Sequence, residues 1–336
     1  MTATFTSRVG VGVIGLGSHA VRSHIEPLSD VAGCELVAVC DTNPDTLAAF
    51  DPSFTGGRYH NSMELMADPA VDAVIVCTPD RFHAALLHEC VVVCGKHCLV
   101  EKPLADSSQD LELVERALRH AARHDLVITS CHPRRFDPPY LWLDVRDAEL
   151  RSQLGSPLDV RMDFAYHEPS KQGLHLGLLL DHANHELDLL HFVFGANSMT
   201  AYRLYDSETR YALAGARDDG ITFEFHGSRS LAARRYAELV RVRYQLGELE
   251  VDCETGQATI LDFETMTRTV EPCPTTDYAT RFEDLNRNFI DAIRGEADNY
   301  LTAEELLLNI QVGIELTRHG VFRYARPVDA RRRRAA

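Results

Sequence analysis

Lysine is scarce in this sequence. Only three of the 34 basic residues are lysines, at positions 96, 102 and 171, and all the others are arginines. Lys102 lies between Glu101 and Pro103, directly after a short apolar run. Codon bias is one explanation of this position. A chemical requirement is the other, because a desolvated ammonium can give up its proton near neutral pH and a guanidinium cannot.

Long apolar runs and paired cysteines are also lacking. No run approaches the ~20 apolar residues of a membrane-spanning helix, and the polar start "MTATFTSR" does not resemble a signal peptide. The nine cysteines include no Cys-x-x-Cys pair, and several lie inside apolar runs, which favours reduced thiols and a cytoplasmic location. Cys90, Cys94 and Cys98 are evenly spaced, but Gly95 should end the helix between them, so we predict no metal site.

Positive charge is in deficit as well. The formal net charge of -16 disfavours nucleic acid and anionic membrane surfaces as partners. The one basic run, Arg331 to Arg334, is interpreted as part of a solvated tail over residues 331–336. A chain of 336 residues is long enough for two domains.

The first third of the chain alternates between buried strands and helices. The predicted strands share an unbroken apolar pattern and begin near residues 9, 35, 72, 97 and 126. Such a pattern indicates a parallel sheet covered by helices on both faces. We therefore predict an α/β protein whose residues 1–131 form a doubly wound, dinucleotide-binding Rossmann domain.

The glycines of "GLGSHA" have the spacing of a dinucleotide-binding turn. Gly15, Gly17 and Ala20 follow a strand and open a helix. Gly15 would form the tight turn, Gly17 would let the backbone approach the pyrophosphate, and Ala20 would permit close helix packing. Asp41 ends the next strand, where a carboxylate binds the ribose hydroxyls and repels a 2′-phosphate. The pattern predicts NAD, rather than NADP, as cofactor.

After Cys131 the pattern changes to strands of alternating polarity, such as "LDVRMDFAY" and "GITFEFHG". Alternation indicates a largely antiparallel sheet with one polar face. We predict a substrate-binding and oligomerisation domain over residues 132–330, with helices near residues 178–194, 281–294 and 303–319.

One helix of this second domain carries aligned polar groups. Asp181, His185 and Asp188 share one face of "GLLLDHANHELDLLHFVFG", while leucines supply its apolar surface. Such a face either contributes to a site or is a surface face with an ion pair one turn apart, and the pattern alone leaves both open.

Several motifs occur together in a fixed order. They are the glycines after the first strand, Asp41, "TPDRFH" (78–83), "GKHCLVEKPLA" (95–105) and "DHANHELD" (181–188). In this respect the chain resembles the Gfo/Idh/MocA (glucose–fructose oxidoreductase / inositol dehydrogenase) family. The resemblance runs nearly end to end. It implies a C-terminal α/β domain with an open, mainly antiparallel sheet whose exposed face commonly forms a homodimer or homotetramer interface.

The resemblance also implies roles for individual residues. Lys102 would lie at the nicotinamide near the reacting hydroxyl, with Asp181 and His185 as partners from the substrate domain. We expect His185 to act as general base and Lys102 to stabilise the alkoxide, although the two roles are interchangeable. The further cofactor contacts are expected to be Thr78, Pro79, His83 and Glu101. The further candidate substrate contacts are Arg135, Tyr166, His167 and Tyr278, and for each of these four a structural role is the alternative. For His83 a helix-capping role is the alternative.

These features predict an NAD-dependent oxidoreductase that interconverts a secondary alcohol and a ketone on a sugar, amino sugar or cyclitol. Asp80 and the carboxylates at positions 163 and 168 favour an amino-bearing substrate, as in an aminoglycoside or deoxysugar pathway. Two alternatives stay open. One is an NAD-dependent glycosidase or lyase that uses internal redox, and the other is a non-catalytic dinucleotide-binding regulator.

Overall fold

Two units make up the chain. The computed structural model describes residues 8–167, 177–230 and 236–325. The first unit ends at Leu141 and resumes over Asp277–Ile314, and the second comprises Trp142–Thr276 and the chain from Glu315 onward. The basic tail at 331–336 and the carboxylate at position 168 lie outside the described residues.

The first unit is built on a parallel sheet. Its strands among the described residues are β1 (Val9–Ile14), β2 (Cys34–Cys40), β3 (Gly57–Tyr59), β4 (Ala73–Val76), β5 (His97–Val100) and β6 (Ile128–Ser130). The order β3-β2-β1-β4-β5-β6, with every pair parallel, is that of a doubly wound dinucleotide-binding fold. This confirms the predicted Rossmann architecture. The sequence pattern missed β3, which is too short to show a periodicity.

Ten α-helices are formed by the described residues, and helical turns such as Val21–Ile25 and Glu89–Val93 join several of them. The helices are α1 (Ser18–Ala20), α2 (Glu26–Leu28), α3 (Pro44–Ala49), α4 (Ser62–Ala67), α5 (His83–His88), α6 (Ser108–His124), α7 (Pro138–Leu154), α8 (Gly177–Phe194), α9 (Tyr278–Arg294) and α10 (Ala303–His319). No helix of the described residues is long and apolar enough to cross a membrane.

Helix α9 belongs to the first unit, whereas the sequence pattern assigned it to the second domain. Its apolar face, represented by Phe282, Leu285 and Phe289, is buried in the same core as Val11 and Val13 of β1. The helix therefore completes the packing of the parallel sheet. An amphipathic pattern shows that a helix has a buried face but does not show which core receives it.

The second unit is built on a mainly antiparallel sheet. Its nine strands among the described residues are β7 (Pro157–His167), β8 (Met199–Asp206), β9 (Arg210–Arg217), β10 (Thr222–Ser230), β11 (Ala237–Tyr244), β12 (Gly247–Asp252), β13 (Gln257–Asp262), β14 (Arg268–Pro272) and β15 (Val321–Tyr324). Only β7 and β10 pair in parallel, and the other neighbours are antiparallel. The predicted mainly antiparallel sheet is therefore confirmed.

Helix α8 covers one face of this sheet by packing on β8, β9 and β10. Its residues from Leu178 to Leu180 and from His182 to His191 are buried. The opposite face carries charged side chains. Asp163 of β7 accepts hydrogen bonds there from Arg161 at 3.2 Å and from Arg241 at 2.9 Å.

Candidate functional site

The turn after β1 has the backbone that the glycine pattern predicts. Gly15 has a φ of 91°, which L side chains rarely adopt. A Cβ atom there would also lie 2.6 Å from the carbonyl oxygen of Cys77. Gly17 is the N-cap of α1, and a Cβ atom added to it would meet none of the described residues within 4 Å. The turn therefore presents bare backbone to open space at the start of a helix, which suits an anion.

Asp41 ties this turn to the end of β2. Its Oδ2 accepts a hydrogen bond from the Leu16 N–H at 2.9 Å, and its Oδ1 accepts one from the Asn43 N–H at 2.8 Å. A carboxylate has about four lone-pair sites, so further hydrogen bonds to ribose hydroxyls are still possible. The geometry thus fits the predicted role and adds a structural one.

Thr78 and His83 lie on the segment after β4. The Thr78 hydroxyl is buried and has no hydrogen-bond partner within the described residues. Together with the open space at Gly17, this orphaned group fits a bound dinucleotide. His83 is different, because its ring nitrogens lie 2.8 Å from the Pro103 carbonyl oxygen and 2.7 Å from that of Thr78. His83 therefore joins these two backbone segments, and its expected cofactor contact stays a prediction.

Glu101, at the end of β5, is held by two histidines. Its Oε1 lies 2.8 Å from Nε2 of His19 and 3.1 Å from Nε2 of His24. Its Oε2 accepts a 3.3 Å hydrogen bond from the backbone N–H of Lys102. Both histidines follow the glycine turn, so the carboxylate connects the Lys102 segment to that turn.

The protonation of His24 follows from Asn286 on α9. The Asn286 amide nitrogen donates to the carbonyl oxygens of Ser23 at 3.0 Å and Phe282 at 2.7 Å, which fixes the orientation of the amide. Its oxygen must therefore accept from Nδ1 of His24 at 2.9 Å, and the other nitrogen, Nε2, faces Glu101.

The electrostatics agree with an ion pair. Burial would lower the pKa of His24, but Cys77, Cys131 and Glu101 raise it well above its ordinary value. Burial would likewise raise the pKa of Glu101, but His19 and His24 hold it well below its ordinary value. His24 is thus an imidazolium beside a carboxylate, and both groups are buried.

His24, Cys77 and Glu101 also place one donor atom each within 4.8 Å of one another, a spacing open to a metal ion. His24 and Glu101 are in direct contact, and the hydrogen between Nε2 and Oε1 occupies the space that a metal ion would need. We therefore assign the group to an ion pair.

Two predicted substrate contacts lie elsewhere in the first unit. Arg135 is buried, and its guanidinium donates to Glu305 at 2.9 Å and to the Tyr300 carbonyl oxygen at 2.9 Å. Tyr278 opens α9, and its hydroxyl lies 2.7 Å from Ser23 Oγ and accepts from Arg22 at 3.1 Å. These contacts give the Arg135 charge partners within the first unit and place Tyr278 beside the helix after the glycine turn. The expected substrate contacts of both residues stay predictions.

The second unit holds the remaining predicted residues. Asp181 and His185 lie on α8, where Asp181 is half-buried and His185 is 8% exposed. Tyr166, on β7, stacks on His182 with ring centroids 5.0 Å apart. His167 Nδ1 lies 3.1 Å from the Ser230 carbonyl oxygen. The structure thus brings the aligned polar groups and Tyr166 to the same helix.

Sequence reasoning missed His19, His24 and Asn286. Histidines one turn into a dinucleotide helix carry no motif, and Asn286 is 262 residues from its partner. The one usable signal was Glu101, a carboxylate at the end of a buried strand, which needs a compensating partner.

Comparison with known proteins identifies the first unit. Residues 9–132 match the family model GFO_IDH_MocA, described as "Oxidoreductase family, NAD-binding Rossmann fold". These residues are therefore an NAD-binding Rossmann domain.

Among curated relatives, the inositol 2-dehydrogenase/D-chiro-inositol 3-dehydrogenase of Shouchella clausii is 30% identical over 214 residues, which is 62% of this chain and 60% of that protein. The myo-inositol 2-dehydrogenase of Thermotoga maritima is 29% identical over 191 residues, 55% of this chain and 54% of that protein. The chain thus aligns with less than two thirds of the length of these relatives.

A solved structure covers nearly the whole chain. The scyllo-inositol dehydrogenase of Lactobacillus casei with bound NAD(H) and scyllo-inositol has a TM-score of 0.76 at 18% identity, covering 94% of this chain and 99% of that chain. An Agrobacterium radiobacter oxidoreductase in complex with NAD+, L-tartaric acid and magnesium gives 0.77 at 18% identity, covering 94% and 98%. At this identity the likeness establishes the fold.

Proposed function

We propose that this chain, whose residues 9–132 match the Gfo/Idh/MocA oxidoreductase model, is an NAD-dependent dehydrogenase of that family. Its reaction interconverts a secondary alcohol and a ketone on a cyclitol or sugar. The observation that carries the proposal is the anchoring of Lys102. Its backbone is fixed by Glu101 at the sheet edge where parallel strands bind dinucleotides.

The first unit's residues would hold the cofactor in a defined way. Gly17 would admit the pyrophosphate, the α1 N-terminus would stabilise its charge, and Asp41 would accept from the ribose hydroxyls. Thr78 would supply a hydroxyl that has no hydrogen-bond partner among residues 8–167, 177–230 and 236–325. NAD, when bound, supplies the hydride acceptor.

Side chains of the protein would remove the hydroxyl proton and stabilise the alkoxide. Oxidation of a CH–OH group also releases the hydroxyl proton, and His185 would accept it as general base. Asp181, one helical turn earlier, would orient the imidazole or hold an adjacent substrate hydroxyl. Lys102 would stabilise the developing alkoxide through its positive charge. Its ammonium could also relay the proton, which an arginine at this position could not do.

A cyclitol is the favoured substrate class. Two relatives are named as inositol dehydrogenases, and that activity is theirs. The charge argument for an amino-bearing substrate is weakened by Asp163, because Arg161 and Arg241 neutralise it on the opposite face of the sheet. Asp80 still places one acid on the segment after β4, so amino sugars and aminoglycosides stay among the substrates to be tested.

A substrate panel tests the proposal. NADH formation would be followed by near-ultraviolet absorbance with inositols, aldoses, amino sugars and aminoglycosides, each with NAD and NADP. We expect turnover with NAD and at least one cyclitol or sugar. Copurified NAD with no net absorbance change for any compound would contradict a simple dehydrogenase and favour internal redox.

A further inference from the structure

A buried polar cluster lies between α8 and the sheet of the second unit. Glu186 is fully buried, and its Oε1 accepts a short hydrogen bond from the hydroxyl of Tyr211, which is also fully buried. Nδ1 of His182 lies 3.2 Å from Glu186 Oε1 and 3.2 Å from the Tyr211 oxygen. The cluster is distinct from Asp181 and His185, which occupy the neighbouring arc of the same helix.

The hydrogen-bond pattern fixes the tautomer of a neutral His182. Tyr211 donates its only O–H to the carboxylate, so its oxygen can only accept from the imidazole. The carboxylate oxygen also only accepts. Nδ1 of His182 therefore carries the hydrogen, and the lone pair of a neutral ring lies on Nε2.

Nε2 of His182 has no hydrogen-bond partner within the part of the chain that the structure describes. The ring itself is firmly held. Tyr166 stacks on it at 15° with centroids 5.0 Å apart, and His185 meets it edge-on with centroids 5.5 Å apart. A carboxylate that orients one ring nitrogen so that the other can act is the arrangement used by activated histidines.

The sheet makes specific room for this cluster. Gly227 of β10 pairs with Tyr211 of β9, and a Cβ atom at Gly227 would lie 1.9 Å from the Tyr211 ring. The ring can therefore lie flat over the strand and direct its hydroxyl to Glu186.

We propose that His182 determines substrate specificity by accepting a hydrogen bond, through Nε2, from a substrate hydroxyl next to the reacting carbon. The proposal rests on the proposed function, because His182 adjoins His185, the group assigned to the reacting hydroxyl. The substrate class it selects is a polyol with neighbouring hydroxyl groups. Glu186 and Tyr211 are positioning residues that act through His182.

The test compares a polyol with its analogue lacking one hydroxyl next to the reacting carbon. The cyclitol found most active in the panel, or myo-inositol if none is active, would be used with its mono-deoxy analogue. The variants are His182→Phe, which keeps a flat ring against Tyr166, and His182→Gln, which restores an acceptor near the position of Nε2. His226→Phe is the matched control, because His226 lies on the opposite face of the sheet.

We expect His182→Phe to raise KM for the polyol about tenfold, with a smaller change in kcat and little change for the deoxy analogue. His182→Gln should recover part of this loss, and His226→Phe should match wild type. An equal effect of His182→Phe on both substrates, or no effect on either, would overturn the proposal.

Calorimetric binding of the same two compounds in the presence of NADH gives a readout that is independent of turnover. If no compound is oxidised, the proposed function fails. Selective loss of polyol binding in His182→Phe would then still support His182, and equal binding by wild type and variant would overturn its role too.

Discussion

Glu101 and His24 form a buried ion pair immediately before Lys102, with carboxylate Oε1 3.1 Å from imidazole Nε2. Asn286 holds the other nitrogen of the imidazole, so the pair has a single arrangement. It links the strand end that carries Lys102 to the helix after the glycine turn. The lysine backbone and the cofactor turn are therefore positioned by the same buried charges.

Replacing Glu101 by Gln should destabilise the first unit in a pH-dependent way. The lowered pKa of Glu101 adds stability that is complete above its ordinary value of 4.5 and lost as the pH falls through the folded value. The raised pKa of His24 adds stability that is complete below its ordinary value of 6.5 and lost as the pH rises through the folded value. The loss caused by Glu101→Gln should therefore be greatest between these two pH values, at about 3 kcal/mol.

Hydrogen exchange of the β4 and β5 amides, followed across pH, measures the difference in unfolding free energy between wild type and Glu101→Gln. Glu115→Gln is the matched control, because Glu115 forms a partly exposed pair with Arg119 at 3.3 Å, and such pairs contribute about 0–1 kcal/mol. A loss in Glu101→Gln that does not vary with pH would refute the ion-pair assignment.

Alanine substitution at the two glycines of the turn should affect different properties, NAD binding in one case and stability in the other. Gly17→Ala should fold with wild-type stability, because its Cβ meets no atom of the described part of the chain within 4 Å. Its methyl group should nevertheless weaken NAD binding at least about tenfold by occupying the approach to the pyrophosphate. Gly15→Ala should lower the unfolding temperature of the first unit, because of its positive φ and the contact with Cys77. Thermal unfolding and NAD titration of both variants separate the two effects. Equal NAD affinity in wild type and Gly17→Ala would count against the cofactor assignment.

Asp41→Asn should shift cofactor preference toward NADP. The amide keeps one of the two backbone hydrogen bonds that Asp41 accepts and loses the charge that repels a 2′-phosphate. We expect the ratio of NAD to NADP affinity to fall about tenfold, measured by fluorescence titration with NADH and NADPH. Asp45→Asn, an exposed acid in the first turn of α3, should leave the ratio unchanged. Equal ratios of NAD to NADP affinity in Asp41→Asn and Asp45→Asn would contradict the role of Asp41 in cofactor preference.

Arg135→Met should reduce stability without changing substrate affinity. It leaves the Glu305 carboxylate, only 15% exposed, without its 2.9 Å partner, which should cost about 3 kcal/mol. Adding Glu305→Leu should recover much of that loss in chemical denaturation. A large rise in KM with intact stability would instead support the predicted substrate contact of Arg135.

The sequence predicted what depends on local pattern. Five of the six strands of the first sheet, the dinucleotide turn and α8 follow from periodicity and glycine spacing within a few residues. What it did not predict depends on distant partners. The ion pair of Arg135 with Glu305, 170 residues later, follows from no local pattern, and the packing of α9 on β1 requires the folded chain.

For the same reason, the sequence did not predict which residues hold the backbone segment of Lys102 in place. His24 and Asn286 are ordinary residues in the sequence, and their contact exists only once α9 returns to the parallel sheet. The hydrogen bonds around His182 likewise need Gly227 and Tyr211 from two neighbouring strands. The proposed reacting groups rest on motifs, whereas the residues around them that hold their backbone or lie beside them are apparent only in the folded chain.

The most direct test of the account is the rate of NADH formation with the best substrate in Lys102→Ala and His185→Ala. Lys96→Ala is the matched control, since Lys96 donates to the Val71 carbonyl oxygen within the protein. The account predicts that each of the two variants loses at least about 100-fold in kcat while NAD affinity stays within about threefold, and that Lys96→Ala keeps wild-type kcat. Wild-type kcat in either Lys102→Ala or His185→Ala would contradict it.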